Sequence, residues 1–171
     1  MAQAAIFSSL HKICNSSLWR RPQSFTLSAS TISNIPHKTQ MTKRIHVAVG
    51  VIYKDKQFFL TKRLENAHQG GKWEFPGGKV EDDETVHQAL HRELKEEIAI
   101  DTLAMQPLIE ISHDYSDKQV LLEVFLVDQF LGEPSAQEGQ QQGWFSKADL
   151  LQLDFPKANI TILDQIQQSD L

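Results

Sequence analysis

One cysteine, Cys14, is all the thiol chemistry this 171-residue chain carries. A single thiol excludes an internal disulfide framework and any zinc site built on cysteines. Long apolar runs are missing too: none approaches the roughly 18 residues that a membrane-spanning helix needs, so a membrane partner is not expected. Positive charge is also scarce. The net charge of −5 weighs against a nucleic-acid polymer as partner, because duplex binding rests on Lys and Arg neutralising phosphates. An anionic small substrate would need a local remedy for that charge, and a divalent cation is the obvious one.

A further absence is local. Residues 1–40 contain Lys12, Arg20, Arg21 and Lys38 but no Asp or Glu, so they carry +4 and leave −9 to the rest. The segment is rich in Ser and Thr, and Ile6, Leu10 and Ile13 recur at helical spacing. Those are the compositional marks of an organelle transit peptide. Against that, Met41 directly precedes the strand-like run RIHVAVGVIY and reads as a natural start for a compact domain. Two readings stay open. Residues 1–42 are either a disordered extension of a cytoplasmic protein or a targeting peptide for a mitochondrion or plastid. In both, the folded domain spans residues 43–171, long enough for one ordinary core.

From residue 43 onward, strand and helix signals alternate. Residues 45–53 are apolar and β-branched, the polar Lys54-Asp55-Lys56 makes a turn, and residues 57–63 read as a returning strand. Residues 66–72 form a loop, 73–75 are extended, and Pro76-Gly77-Gly78 breaks any regular element. Val86, Leu90, Leu94 and Ile98 recur every four residues, which predicts an amphipathic helix over 84–98. Two strands come next, 109–115 and 120–130, joined by Ser116-Asp117-Lys118, and then a polar loop over 132–143. Trp144-Phe145 closes a short strand, Ser146 caps a helix KADLLQL, and residues 159–168 make a last helix with Ile160, Leu163 and Ile166 on one stripe. No internal repeat is present. The expected class is α/β, a mixed sheet with helices interspersed.

The predicted helix over 84–98 contains HRELKEE, residues 91–97. At about 100° per residue, Glu93 and Glu97 lie roughly 40° apart, with Glu96 on the other flank of Glu93. Like charges at this spacing destabilise an isolated helix. The bland explanation is a solvated charged face, the commonest fate of such sequence. A metal site asks for hard oxygen ligands converging from more than one element, and Arg92 is placed to orient a carboxylate by charge-assisted hydrogen bonds.

The preceding residues favour the sharper explanation. From Gly78, five residues lead to Glu84 and seven more to Arg92-Glu93-Leu94-Lys95-Glu96-Glu97, with Ile100 closing the pattern. This resembles the Nudix box, a loop–helix–loop signature. One position departs: Ala99 stands where the family usually has Gly, which touches loop geometry rather than chemistry. The resemblance implies a Nudix α/β/α sandwich and a hydrolase of nucleoside diphosphates linked to another group, dependent on Mg²⁺, with Mn²⁺ as a substitute. It implies Glu93, Glu96 and Glu97 as metal ligands and catalytic residues beside Arg92. The Gly78 carbonyl is a further candidate ligand, and Lys79 is long enough to reach a phosphate.

Likeness extends over residues 43–168 and is similar to the MutT branch of that family, which hydrolyses 8-oxo-dGTP and keeps oxidised guanine out of DNA. The runs KRIHVAVGVIYKDKQFFLTKR, LENAHQGGKWEFPGGK, GEPSAQEGQQQGWFS and LDFPKAN carry it. By this resemblance Glu138 falls on a metal-site or catalytic glutamate, Arg63 and His68 lie near the nucleotide, and Asn159 reads the oxidised base. Phe75 is expected as core or pocket wall, Trp73 and Trp144 as packing. Each has a structural alternative: a solvated loop glutamate for Glu138, a surface loop residue for His68, a helix cap for Asn159. The expected partner is a small nucleotide and the expected state a monomer. Rival functions are Nudix hydrolysis of ADP-ribose, a dinucleotide or a pterin triphosphate, and a catalytically silent nucleotide-binding module. The silent module would have no need of Arg92, Glu93, Glu96 and Glu97 together.

Overall fold

The structure, a computed structural model, describes residues 44–171; the leader expected over residues 1–42 lies outside them. Seven strands form one mixed sheet: β1 (Ile45–Lys54), β2 (Gln57–Lys62), β3 (Trp73–Glu74), β4 (Gly77–Lys79), β5 (Asp101–Asp114), β6 (Gln119–Leu131) and β7 (Gln142–Ser146). The order is β3-β2-β1-β6-β5, with β4 also on β1 and β7 on β2. Only β1 and β6 run parallel; the other pairs are antiparallel. Three helices complete the described residues: α1 (Val86–Ile98), α2 (Lys147–Leu150) and α3 (Lys157–Gln168).

The central strands are buried on both faces, and their period-2 alternation sorts side chains into two cores. Val49 and Val51 of β1, Phe58 and Leu60 of β2, and Val120, Leu122, Val124 and Leu126 of β6 pack with Ile162, Leu163 and Ile166 of α3. Ala48, Ile52, Phe59, Phe125 and Val127 face the other way, onto Ala89, Leu90, Leu94 and Ile98 of α1. Burial of that α1 stripe turns its opposite flank, with the charged residues, toward loop and solvent. Helix, sheet and helix therefore make the expected sandwich. Leu94 is fully buried; truncating such a residue to Ala costs about 2–5 kcal/mol.

Four local expectations need correction. Gly77–Lys79 is not a break but a three-residue strand paired with Val47–Val49, because glycine lets two backbones approach. Strand β5 begins at Asp101, well before residue 109; register shifts at Thr102/Ala104, Ala104/Gln106 and Pro107/Ile109 scramble its alternation. Helix α2 stops at Leu150, although Ser146 caps it as expected, accepting from the Asp149 N–H at 3.3 Å. Helix α3 starts at Lys157, with Pro156 at its N-cap. That start turns Ile160 outward, 45% exposed, and places Asn159 inside the first turn rather than at the cap.

Ala99 keeps the backbone that the usual glycine would give. It is left-handed at φ 59°, ψ 32°, and its N–H bonds to the Leu94 and Lys95 carbonyls. A residue with a Cβ is strained there by roughly 1–2 kcal/mol, partly offset because glycine is freer when unfolded. Ala99→Gly is therefore expected to stabilise the domain by about 0.5–1 kcal/mol, read as a raised midpoint in thermal or urea unfolding. A lowered midpoint would show that the left-handed cap carries no strain.

Candidate active site

The site is assembled where β4 crosses β1 beneath α1. Gly77 lies at φ +145°, and a Cβ on it would run into the Ala48 carbonyl oxygen. Gly78 leaves room for a carboxylate instead: a Cβ there would overlap Cδ of Glu93. The Gly77 N–H donates to Glu97 Oε2 at 3.0 Å. Two of the three glutamates of HRELKEE thus reach back onto the glycines of β4.

Arg92 holds the arrangement together. Its Nε and Nη2 donate to Glu84 at 3.2 and 2.5 Å, Nη1 donates to Glu93 at 2.7 Å, and Nη2 also reaches the Lys79 carbonyl at 3.1 Å. Contact with Glu96 is the longest, 3.5 Å. These bonds raise the guanidinium pKa still further and hold Glu84 below the usual carboxylate range. Helical spacing alone allows all three glutamates to point to one region. Here Glu96 stays on the rim, its side chain 64% exposed against 16% for Glu93. One guanidinium cannot offset the desolvation of every carboxylate, so the least engaged keeps its water.

Helix α1 also fixes the late loop. Its last-turn carbonyls of Glu97 and Ile98, which a helix end leaves without partners, accept from the Gln137 and Ser135 N–H groups, both at 2.9 Å. This brings the exposed Glu138 beside Glu97. Glu74 joins from β3; sequence patterns do not reveal it, since its partner Arg63 is eleven residues away with no local spacing to betray it. Burial raises the Glu74 pKa despite the Arg63 ion pair. Glu97 is pushed up to about 7, by burial first and then by the charges of Glu74, Glu93 and Glu138.

Two concavities meet here, sharing Arg63, Glu74 and Gly77. The polar cleft holds Glu97, Glu138 and Lys62. The adjoining pocket, about 250 Å³, has an apolar floor of Ile45, Val47, Val49, Val120 and Leu122, with His68, Lys79, Tyr115, Lys118 and Asn159 around it. Phe75 is both core and pocket wall, 3% exposed and stacked on Phe155 at 5.8 Å. Trp73 and Trp144 pack edge-on against Phe145 and Phe59. Arg63 is spoken for, bonded to the Glu74 carboxylate and to the His68 carbonyl. Asn159 is buried, and its Oδ1 has no hydrogen-bond partner. The capping alternative for Asn159 falls away: Pro156 holds the N-cap, and Asn159 lines the pocket from the first turn of α3. Tyr115 and Lys118 are also invisible to sequence patterns, being unremarkable turn residues until the fold brings them to the pocket.

Among the described residues, no three His, Cys, Asp or Glu side chains are already gathered as a closed metal set. The donor chemistry nonetheless fits a hard divalent cation. Every candidate donor is an oxygen, and the cluster holds more negative charge than Arg63 and Arg92 offset.

A glycine-bearing strand, a Glu-bearing helix and an adjoining apolar pocket in an α/β/α sandwich are the arrangement of a hydrolase fold for phosphorylated small molecules. The NUDIX domain family matches residues 47–165, and the chain belongs to it. It is 36% identical over 127 residues to the 8-oxo-dGTP diphosphatase of Escherichia coli (strain K12), covering 74% of this chain and 98% of that one. The CTP pyrophosphohydrolase of the same organism is 35% identical, over 71% of this chain and 90% of its own. Among solved structures, a chain from a study of MutT from Aliivibrio salmonicida and Vibrio cholerae superposes with TM-score 0.65 at 41% identity, covering 72% and 97%.

The electrostatics of Glu97 give a sign that can be tested without substrate. Its folded pKa is raised from 4.5 to about 7, so the folded state binds the proton more tightly than the unfolded one. Ionising Glu97 thus removes stability as pH rises across that window. Glu97→Gln keeps the neutral form at every pH. Relative to the original chain without metal, it is expected to gain on the order of 1 kcal/mol between pH 5 and 8, measured by urea unfolding at both values. A gap that shrinks as pH rises would mean Glu97 is stabilised as an anion.

Proposed function

We propose that this chain hydrolyses 8-oxo-dGTP to 8-oxo-dGMP and pyrophosphate with Mg²⁺, as a monomer whose residues 43–171 suffice. The observation that carries the reading is Asn159: a buried carboxamide oxygen without a partner, beside an apolar floor, in a pocket that opens onto the acidic cleft. A lone buried acceptor costs about 1–3 kcal/mol unless a donor arrives. The N7–H of 8-oxoguanine is such a donor, and its O6 accepts from the same carboxamide. Guanine presents acceptors at both positions and leaves Oδ1 unpaired.

Glu93, Glu96, Glu97 and Glu138, with the Gly78 carbonyl, would hold the metal, which when bound supplies charge neutralisation and an acidified water. Arg92, through its bond to Glu93, would hold that carboxylate against Gly78. Phe75 and Phe155 support one wall of the pocket, with His68 and Arg63 at its edge. Lys79, in the pocket lining, would reach a phosphate of the substrate. The curated 8-oxo-dGTP diphosphatase relative supports the substrate; the CTP pyrophosphohydrolase relative makes CTP the competing reading, since a motif that handles phosphates does not choose the base.

A substrate panel of 8-oxo-dGTP, dGTP, CTP and ADP-ribose separates these readings. It is run with and without Mg²⁺, on the full chain and on one begun at Met41, with products resolved by chromatography. The expected result is highest kcat/KM for 8-oxo-dGTP, loss of turnover without metal, pyrophosphate as the phosphate product, and no difference between the two chains. Orthophosphate as sole product, or CTP in first place, would overturn the reading.

Asn159→Ala then tests the base contact. The variant is expected to lower kcat/KM for 8-oxo-dGTP by about 10- to 100-fold, the loss of one or two complementary hydrogen bonds, and to lower that for dGTP far less. An equal fall for both substrates would show that Asn159 does not read the base.

A further inference from the structure

Helix α3 presents Asn159 to the pocket, yet its own start lacks the usual fastening. A helix N-terminus leaves backbone N–H groups without intrahelical partners, and a Ser, Thr, Asp or Asn side chain at the N-cap commonly takes one of them. Pro156 at this N-cap offers no such bond. The Asn159 N–H turns back to the Pro156 carbonyl at 2.9 Å. The Ala158 N–H instead donates across the pocket to the phenol oxygen of Tyr115, 3.4 Å away.

Tyr115 is well placed to serve as a fixed post. It follows β5 directly, and its N–H closes the β5–β6 turn on the Lys118 carbonyl at 2.8 Å. Its ring is held edge-on by His113 at 4.5 Å and by His68 at 5.5 Å, with Lys118 Nζ 5.8 Å from its centroid. Tyr115, Ala158 and Asn159 line the same pocket.

We propose that Tyr115 is a positioning residue for base recognition, its hydroxyl serving as the N-terminal cap of α3 and setting where Asn159 meets the base. The proposal rests on the reading of Asn159 as the group that contacts the base. A bond of this length adds little to global stability. Its effect is geometric: two hydrogen bonds from one carboxamide must be met together, and a shift of about 1 Å at a reacting complex can cost about 100-fold.

Tyr115→Phe removes the hydroxyl and keeps the ring. In the full chain with Mg²⁺, the preference for 8-oxo-dGTP over dGTP in kcat/KM is expected to fall about fivefold, the size of one modest hydrogen bond. The change should appear mainly in KM, with the thermal midpoint nearly unmoved. A general loss of structure would lower both substrates together and leave the preference intact, and that result, or an unchanged preference, would overturn the proposal. Amide hydrogen exchange in the substrate-free protein provides a second readout: the Ala158 N–H should exchange about fivefold faster in the variant. Unchanged exchange would overturn the cap. Should the original chain show no preference for 8-oxo-dGTP, the substrate reading fails, and Ala158 exchange alone decides whether Tyr115 holds the start of α3.

Discussion

Several carboxylates crowd one end of a single helix, and the guanidinium of Arg92 makes that crowding tolerable. It bonds three segments at once: Glu84 before α1, Glu93 and Glu96 on α1, and the Lys79 carbonyl of β4. Charge-assisted bonds of this kind are about twice as strong as neutral ones. They also fix direction, because the guanidinium is planar and its donors cannot swing independently. With Glu93 held against Gly78, the glycine strand β4 has a defined seat between β1 and α1. Where that strand lies determines where the pocket wall and the acidic cleft meet.

Glu97 bears the opposite electrostatic condition. It has one backbone donor, from Gly77, and three carboxylate neighbours that disfavour its charge. The surrounding core holds α1 in place through Leu90, Leu94 and Ile98, so the carboxylate cannot relax by moving the helix. Perturbed groups of this sort concentrate at functional sites because the fold, not the local contact, maintains them. The late loop adds to the crowding by satisfying the carbonyls at the end of α1 and thereby delivering Glu138.

Legibility in the sequence depended on the range of the signal. The α1 stripe, the strands expected over residues 45–53 and 120–130, and the Ser146 cap rest on spacing of a few residues, and they stand in the structure, the two strands within a residue of the expected bounds. The box residues were legible because Gly78, Glu84 and the HRELKEE run lie within one loop and one helix. Three kinds of feature were not. Strand β5 hid its first half behind bulges that break alternation. The phase of α3 depended on Pro156, which starts a helix without announcing a side-chain cap. Glu74, Tyr115 and Lys118 owe their place in the site to contacts between distant segments, which periodicity cannot register.

The two cavities divide the chemical task unevenly, and this bears on how one fold can serve different bases. The cleft is lined mainly by polar residues of β2, the segment after it, β3, β4, the end of α1 and the late loop, Glu97 and Glu138 among them, and in the proposed reading it would take the phosphates and the cation. The pocket is built from the apolar faces of β1 and β6, the β5–β6 turn and the first turn of α3. Apolar floor area rewards any planar base by burial alone and cannot strongly reject a wrong one. Rejection needs a buried polar group that the wrong base leaves unpaired. Within this pocket, Asn159 Oδ1 is the buried side-chain oxygen lacking a partner among the described residues. In the proposed reading of Asn159, selectivity would therefore concentrate on the short stretch of backbone that carries it, from Pro156 to Asn159. That stretch lies outside the box altogether, so two relatives can share the whole of the phosphate machinery and still part company over the base.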